Sequence, residues 1–120
     1  MKISIITLFP EVFEPILNSS ILKRAQKKGL VKFQLINLRD FGEGKHKQVD
    51  DRPYGGGAGM ILKADILAKA TCYSLLAVSQ KRNSPSGGRS EKPCVILTSA
   101  SGTAYKQSKA RQLSKLNHII

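Results

Sequence analysis

Apolar positions along this chain follow two rhythms, one suited to strands and one to helices. Between Lys2 and Phe9 the isoleucines Ile3, Ile5 and Ile6 crowd together, and Pro10 then removes a backbone donor, so a buried strand is predicted there. Glu11 to Leu17 has the make-up of a short helix interrupted by Pro15, and Asn18, Ser19 and Ser20 offer capping oxygens to a following helix. That helix is predicted from about Ser20 to Lys28. It carries Ile21, Leu22 and Ala25 on one face, Lys23, Arg24, Lys27 and Lys28 mostly away from them, and Gly29 as its stop. Val31, Phe33 and Leu35 alternate with Lys32 and Gln34 before Ile36-Asn37-Leu38, which reads as a second strand. Lys63 to Gln80 places Ile66, Leu67, Ala70, Tyr73, Leu76 and Ala77 at helical spacing, predicting a core-facing helix.

Beyond Pro93, Cys94-Val95-Ile96-Leu97 is a continuous apolar run suited to a buried parallel strand, and Tyr105 to Leu116 can form a helix. Alternating strands and helices predict an α/β fold, a mostly parallel sheet with flanking helices and right-handed crossovers. Two stretches break the rhythm. Arg39 to Gly59 is glycine-dense and reads as a long functional loop or a set of short turns. Residues 81–92 have the composition of an exposed, mobile loop inside one domain. The final Asn117-His118-Ile119-Ile120 looks like the opening of another apolar strand, so residues 1–120 are expected to be the N-terminal portion of a longer domain.

Composition narrows the function classes. A chain of 120 residues, 41% hydrophobic and 23% charged, is sized and composed for a single globular unit rather than a disordered one. Its apolar stretches fall well short of the roughly 20 residues a spanning helix needs, and no cleavage-site pattern follows the first strand, so a cytoplasmic address is expected. Cys72 and Cys94 lie far apart among apolar neighbours and read as buried, reduced thiols rather than metal ligands. The formal net charge of +12 invites a polyanion, nucleic acid foremost. With three Tyr, four Phe and no Trp, phosphate contact should outweigh base stacking. The basic helix around Lys23 to Lys28 reads either as a solvated amphipathic helix or as a phosphate-contacting face.

Candidate chemistry concentrates between Lys45 and Met60. Gly55-Gly56-Gly57, then Ala58 and Gly59, allow close approach to backbone amides. A nucleotide-triphosphatase loop would need lysine and then Ser or Thr after the last glycine; Met60 stands there instead. No GxGxxG follows the first strand, which removes the dinucleotide fingerprint. No serine or cysteine is framed by a nucleophile elbow. Asp50 and Asp51 adjoin, with Arg52 beside them, and suit either proton handling or a structural ion-pair network. His46 lies in a basic run where a solvated ring is the plain reading.

Four stretches together resemble a known family. Leu8-Phe9-Pro10-Glu11-Val12-Phe13, Asn37-Leu38-Arg39-Asp40-Phe41, Lys45-His46 with Val49-Asp50-Asp51, and above all Pro53-Tyr54-Gly55-Gly56-Gly57-Ala58-Gly59-Met60 resemble the bacterial tRNA (guanine-N1)-methyltransferases. These belong to the SPOUT methyltransferases, with a knotted α/β fold. The resemblance covers the chain from Met1 to Ile120 apart from residues 81–92. It implies methyl transfer from S-adenosylmethionine to N1 of the guanosine 3′ of the tRNA anticodon, by a homodimer whose active sites form between subunits. It places the first wall of the methyl-donor site at Leu97, Thr98, Ser99, Ala100, Ser101 and Gly102. The family usually has proline and glutamine where this chain has Ala100 and Ser101.

The resemblance further implies a tRNA or dimer-interface region comprising His46, Asp50, Arg52, Tyr54, Gly55, Gly56, Gly57 and Gly59. The loops that complete the knot and adenosine pocket, the catalytic aspartate and the C-terminal tRNA-binding domain are expected after Ile120. Guanine N1 carries a proton and needs a positioned base, for which a carboxylate is expected, while a sulfonium donor needs no metal. Asp50 is therefore at most supporting, no catalytic residue is assigned within the chain, and the chain alone is expected to be inactive. Two other readings remain: a stand-alone basic RNA-binding module without catalysis, and a small phosphate binder using the Gly55 to Gly59 amides, which +12 exceeds the need for.

Overall fold

The computed structural model describes residues 1–79 and 93–120, so the loop expected at 81–92 lies outside the described residues. The first strand, β1 (Lys2–Thr7), ends where Pro10 opens α1 (Pro10–Leu17), and α2 (Ser20–Lys27) leads back to β2 (Lys32–Asn37). A single 3-10 turn, Leu38–Phe41, is followed by a small hairpin of β3 (Asp50–Asp51) and β4 (Ile61–Leu62). Then come α3 (Ala64–Ser79), α4 (Gln107–Leu113) and β5 (His118–Ile119).

The principal sheet has the order β2-β1-β5 and is parallel throughout. Lys2 pairs with Lys32 on one side and with His118 on the other, so the first strand of the sequence becomes the centre of the sheet. Cys94 extends the order beyond β5 through an isolated parallel bridge to Ile119. Its amide donates to the His118 carbonyl at 3.1 Å, and the Ile96 amide donates to Ile120 at 2.7 Å.

The core lies where α3 meets the carboxyl ends of β1 and β2. Ile66 and Ala70 are fully buried one helical turn apart and pack with Leu38 and Val49, while Ile6, Leu8, Phe41 and Leu67 flank them. Ser74, the next position on that stripe, is also fully buried. The helix predicted at 63–80 forms over Ala64–Ser79, but Tyr73 and Leu76 do not belong to its buried face and are 52% and 63% exposed. At 100° per residue, position 73 lies at the margin of the stripe through 66, 70 and 74, about 60° from its centre, and position 76 lies about 120° from it.

Other expectations are corrected by local geometry. Asn18 and Ser19 do not cap α2; their side chains donate to the Glu14 and Ile16 carbonyls and close the end of α1 instead. Helix α1 runs through Pro15, whose missing N–H deprives only the solvent-side Glu11 carbonyl of a donor. Cys94 to Leu97 is not a buried strand. It contributes the one bridge, and Val95, Ile96 and Leu97 are exposed because they lie on the sheet's outer edge with no described element across them. Cys72 is exposed rather than buried, since it falls on α3 opposite the 66–70–74 stripe, and Cys94 is half-buried; both are free thiols. Among the described residues no helix is long and apolar enough to cross a membrane, and no cluster of His, Cys, Asp and Glu could hold a metal ion.

Candidate functional site

The glycine-dense segment folds as two stacked turns at the carboxyl end of the parallel sheet. In the first, Glu43 and Gln48 exchange backbone hydrogen bonds of 3.1 and 2.9 Å, which pushes Lys45 and His46 out at the tip. Lys47 takes a left-handed conformation, φ +49°, and its amine lies 3.8 Å from the Asp40 carboxylate. In the second, β3 and β4 pair antiparallel, Asp50 against Leu62 and Asp51 against Ile61, and residues 52–60 close the hairpin. Gly57 and Gly59 hold φ at +133° and +98°, values that side chains with a Cβ rarely adopt. Nothing lies within 4 Å of where a Cβ would project from either, so the loop presents bare backbone to open space.

A chain of ion pairs links this loop to its neighbours. Lys63, only 22% exposed, reaches Glu43 at 3.7 Å and Asp51 at 3.8 Å, tying the first turn to the hairpin. Lys69 continues the chain to Glu43 at 3.4 Å and to Asp65 at 3.8 Å on α3. The Lys63 amide also donates to the Val49 carbonyl at 2.9 Å, anchoring β4 next to a core residue. Of the two readings open for the adjacent aspartates, the network is realised for Asp51, with Lys63 rather than the Arg52 side chain as its cation. The Asp51 carboxylate additionally accepts from the Arg52 amide at 2.8 Å. Asp50 is half-buried in β3, where its carbonyl accepts from the Gln48 side chain. Lys63, Glu43 and Lys69 were not singled out by sequence reasoning; only the Asp65–Lys69 spacing of four on a predicted helix could have signalled part of the network.

An open pocket of about 630 Å³ lies between the hairpin and the start of α3, with Asp51, Arg52, Tyr54, Leu62 and Lys63 among its walls. Tyr54 is 99% exposed at its rim. The structure thus brings Asp50, Arg52, Tyr54 and the glycines into one loop, with His46 on the neighbouring turn. Leu97 to Gly102 stand apart from this group. They follow the Cys94 bridge at the far edge of the sheet, where a turn closes as the Gly102 amide donates to the Ser99 carbonyl at 3.1 Å. The Ser99 and Ser101 hydroxyls bond each other at 3.1 Å, and all six residues are exposed. The carboxyl end of a parallel strand is where open α/β sheets bind ligands. The segment is an exposed turn that encloses nothing by itself.

A buried polar pair sits on the sheet between these regions. Ser4 Oγ and His118 Nε2 are 2.9 Å apart, joining β1 to β5, and His118 is 6% exposed. Burial first, and the nearby Lys2 charge second, lower the pKa of this imidazole from its ordinary 6.5. Sequence reading treated His118 only as part of an apolar ending.

Comparison with known proteins supplies a family for this arrangement. The profile described as tRNA (Guanine-1)-methyltransferase TrmD matches residues 1–120. A tRNA (guanine-N(1)-)-methyltransferase of Anoxybacillus flavithermus is 48% identical over 120 residues, covering all of this chain and 44% of the relative. One from Bacillus subtilis is 42% identical over 124 residues, covering all of this chain and 45% of the relative. The crystal structure of tRNA (m1G37) methyltransferase from Aquifex aeolicus superposes with a TM-score of 0.81 at 32% identity, covering 99% of this chain and 48% of that one. The chain therefore spans less than half the length of the curated relatives it matches.

Proposed function

The chain belongs to the tRNA (guanine-1)-methyltransferase family, and from that premise we propose that it forms the N-terminal part of an enzyme methylating N1 of a tRNA guanosine. The observation that carries this reading is the exposed glycine loop of residues 52–60, held by the Lys63 ion pairs beside an open pocket at the carboxyl end of a parallel sheet. S-adenosylmethionine, when bound, supplies an electrophilic methyl group without any metal. Leu97 to Gly102 would hold one side of that donor. Tyr54, Arg52 and the bare backbone at Gly55 to Gly59 would receive the guanosine and its phosphates, with His46 contacting the RNA or the second subunit.

Asp50 is a positioning residue in this scheme. It lies in β3 directly before Asp51, and Asp51 is held as the counter-ion of Lys63. In this scheme the proton on guanine N1 passes to a carboxylate other than Asp50. Active sites shared between two subunits of a homodimer, in the cytoplasm, complete the proposal.

The test is a pair of proteins. Calorimetric titration of the 120-residue chain with S-adenosylmethionine is expected to show no binding at micromolar concentrations. A chimera continued with the matching remainder of the Anoxybacillus relative is expected to bind the donor and to yield N1-methylguanosine in tRNA by mass spectrometry. A folded chimera that binds the donor yet methylates no tRNA would refute the proposed function.

A further inference from the structure

We propose that the exposed basic face of α2 is a second RNA-docking surface, gripping phosphates at a distance from the glycine loop. Lys23, Arg24, Lys27 and Lys28 are all exposed, while Leu22, Ala25 and Gln26 form the inward side of the helix. The Gln26 side chain donates to the Leu17 carbonyl at 2.7 Å and fixes the rotation of α2 against α1. The basic residues therefore point outward as a consequence of packing.

Sign segregation separates this face from an ordinary solvated helix. Such helices usually mix charges, with acids four residues from bases, yet α2 contains no acidic residue. Ion pairs among the described residues gather Asp40, Glu43, Asp51 and Asp65 around Lys47, Lys63 and Lys69, and none reaches α2. Lys23 with Lys27, and Arg24 with Lys28, are like charges one turn apart, about 6 Å along the axis. Such pairs oppose the helix unless an anion lies across them. Arg24 and Lys27 also oppose the negative end of the helix dipole, which accounts for their place in the last turn but not for Lys23.

A partner that reaches both this face and the glycine loop must be long. The Lys28 end of α2 leads into Lys32, whose amide donates to the Met1 carbonyl at the amino pole of the sheet. The glycine loop is at the opposite pole, roughly 20 Å away along a six-residue strand. Exposed Lys32 extends the basic face at that amino pole. A single mononucleotide cannot bridge such a span, whereas a folded RNA can. The inference rests on the proposed tRNA substrate and deepens it.

Fluorescence-anisotropy titration of the 120-residue chain with unmodified tRNA, from 50 to 200 mM salt, tests it. Neutralising two residues by Lys23→Gln with Lys27→Gln should reduce the slope of log K against log salt by about 1.4 to 1.8, two phosphate contacts' worth. Lys23→Arg with Lys27→Arg should preserve the slope. Lys109→Gln with Lys115→Gln removes the same charge from exposed positions in or beside α4 and should change it by less than half as much. Equal losses from the α2 and α4 pairs would mean that net charge alone acts, and would overturn the α2 surface while leaving tRNA as substrate. Wild-type chain that ignores tRNA but binds phosphatidylserine vesicles would overturn the RNA surface, while the tRNA reading stands or falls with methylation by the chimera.

Discussion

Gly42 and Gly44 flank one turn and separate two kinds of glycine requirement. At Gly42 the backbone is extended, φ −68° and ψ 156°, a conformation open to any residue. A Cβ there would nevertheless collide with the Lys47 carbonyl oxygen and come within 2.9 Å of the Lys47 Cα, all backbone that no rotamer change can move. Gly42→Ala must therefore open the turn and loosen the Glu43–Gln48 pair with its hydrogen bonds of 3.1 and 2.9 Å. Two bonds at about 0.5 to 1.5 kcal/mol each, or overpacking at about 1 to 3 kcal/mol, give the same expectation of about 2 kcal/mol. With a urea dependence of about 2 kcal/mol per M, the midpoint should fall by about 1 M. Gly44 is the converse: φ is +70° and nothing lies within 4 Å of its Cβ position. Gly44→Ala should lose about 1 kcal/mol from left-handed strain alone, roughly half the shift. Equilibrium urea unfolding followed by circular dichroism measures both. An unchanged midpoint in Gly42→Ala, or a larger loss in Gly44→Ala, would refute the steric reasoning.

Four further outcomes are expected. Gly57→Val should lose about 1 to 3 kcal/mol locally because φ is +133° there, and with open space around it Gly57→Ala should cost less; amide exchange in residues 52–60 reads the difference. Burial lowers the pKa of His118 in the folded chain, so the unfolded chain takes up a proton first as pH falls towards and below 6.5. Stability should thus decline with acidity from 6.5 down to the lowered native pKa, and His118→Asn should flatten that part of the urea-midpoint profile. Ser4→Ala should cost about 1 to 3 kcal/mol by leaving Nε2 unpaired beside an Nδ1 that already lacks a partner, whereas Lys63→Gln should cost less than about 1 kcal/mol and lose its effect in high salt.

Much of the fold was legible because local rules and tertiary packing agreed. The isoleucine run ending at Pro10 marks β1, alternation at Val31, Phe33 and Leu35 marks β2, and Gly29, φ +69°, stops α2 as read. Failures fall where partners distant in sequence decide the outcome. Val95 to Leu97 has the composition of a core strand, but burial depends on what lies across it, which composition does not encode. Asn18 and Ser19 could cap either neighbouring helix, and the tight corner chose the preceding one. In the candidate site, the glycines were legible from their density, since few other reasons place four within five residues. Lys63 was invisible because its two carboxylates lie 20 and 12 positions upstream and meet it only through the hairpin.

Placing β1 at the centre of a parallel sheet also dictates an order of assembly. Its first neighbour, β2, is linked by the compact α1–α2 crossover, so that pairing closes a short stretch of chain. Its second neighbour arrives only when His118 meets Ser4 across 114 positions, a closure with a larger entropic cost and a slower rate. Until then one edge of β1 stays unpaired, its backbone groups open to any strand that comes near. A nascent chain emerging amino end first would carry that open edge until His118 is made, and crowding or delayed elongation would fall hardest on the strand made earliest.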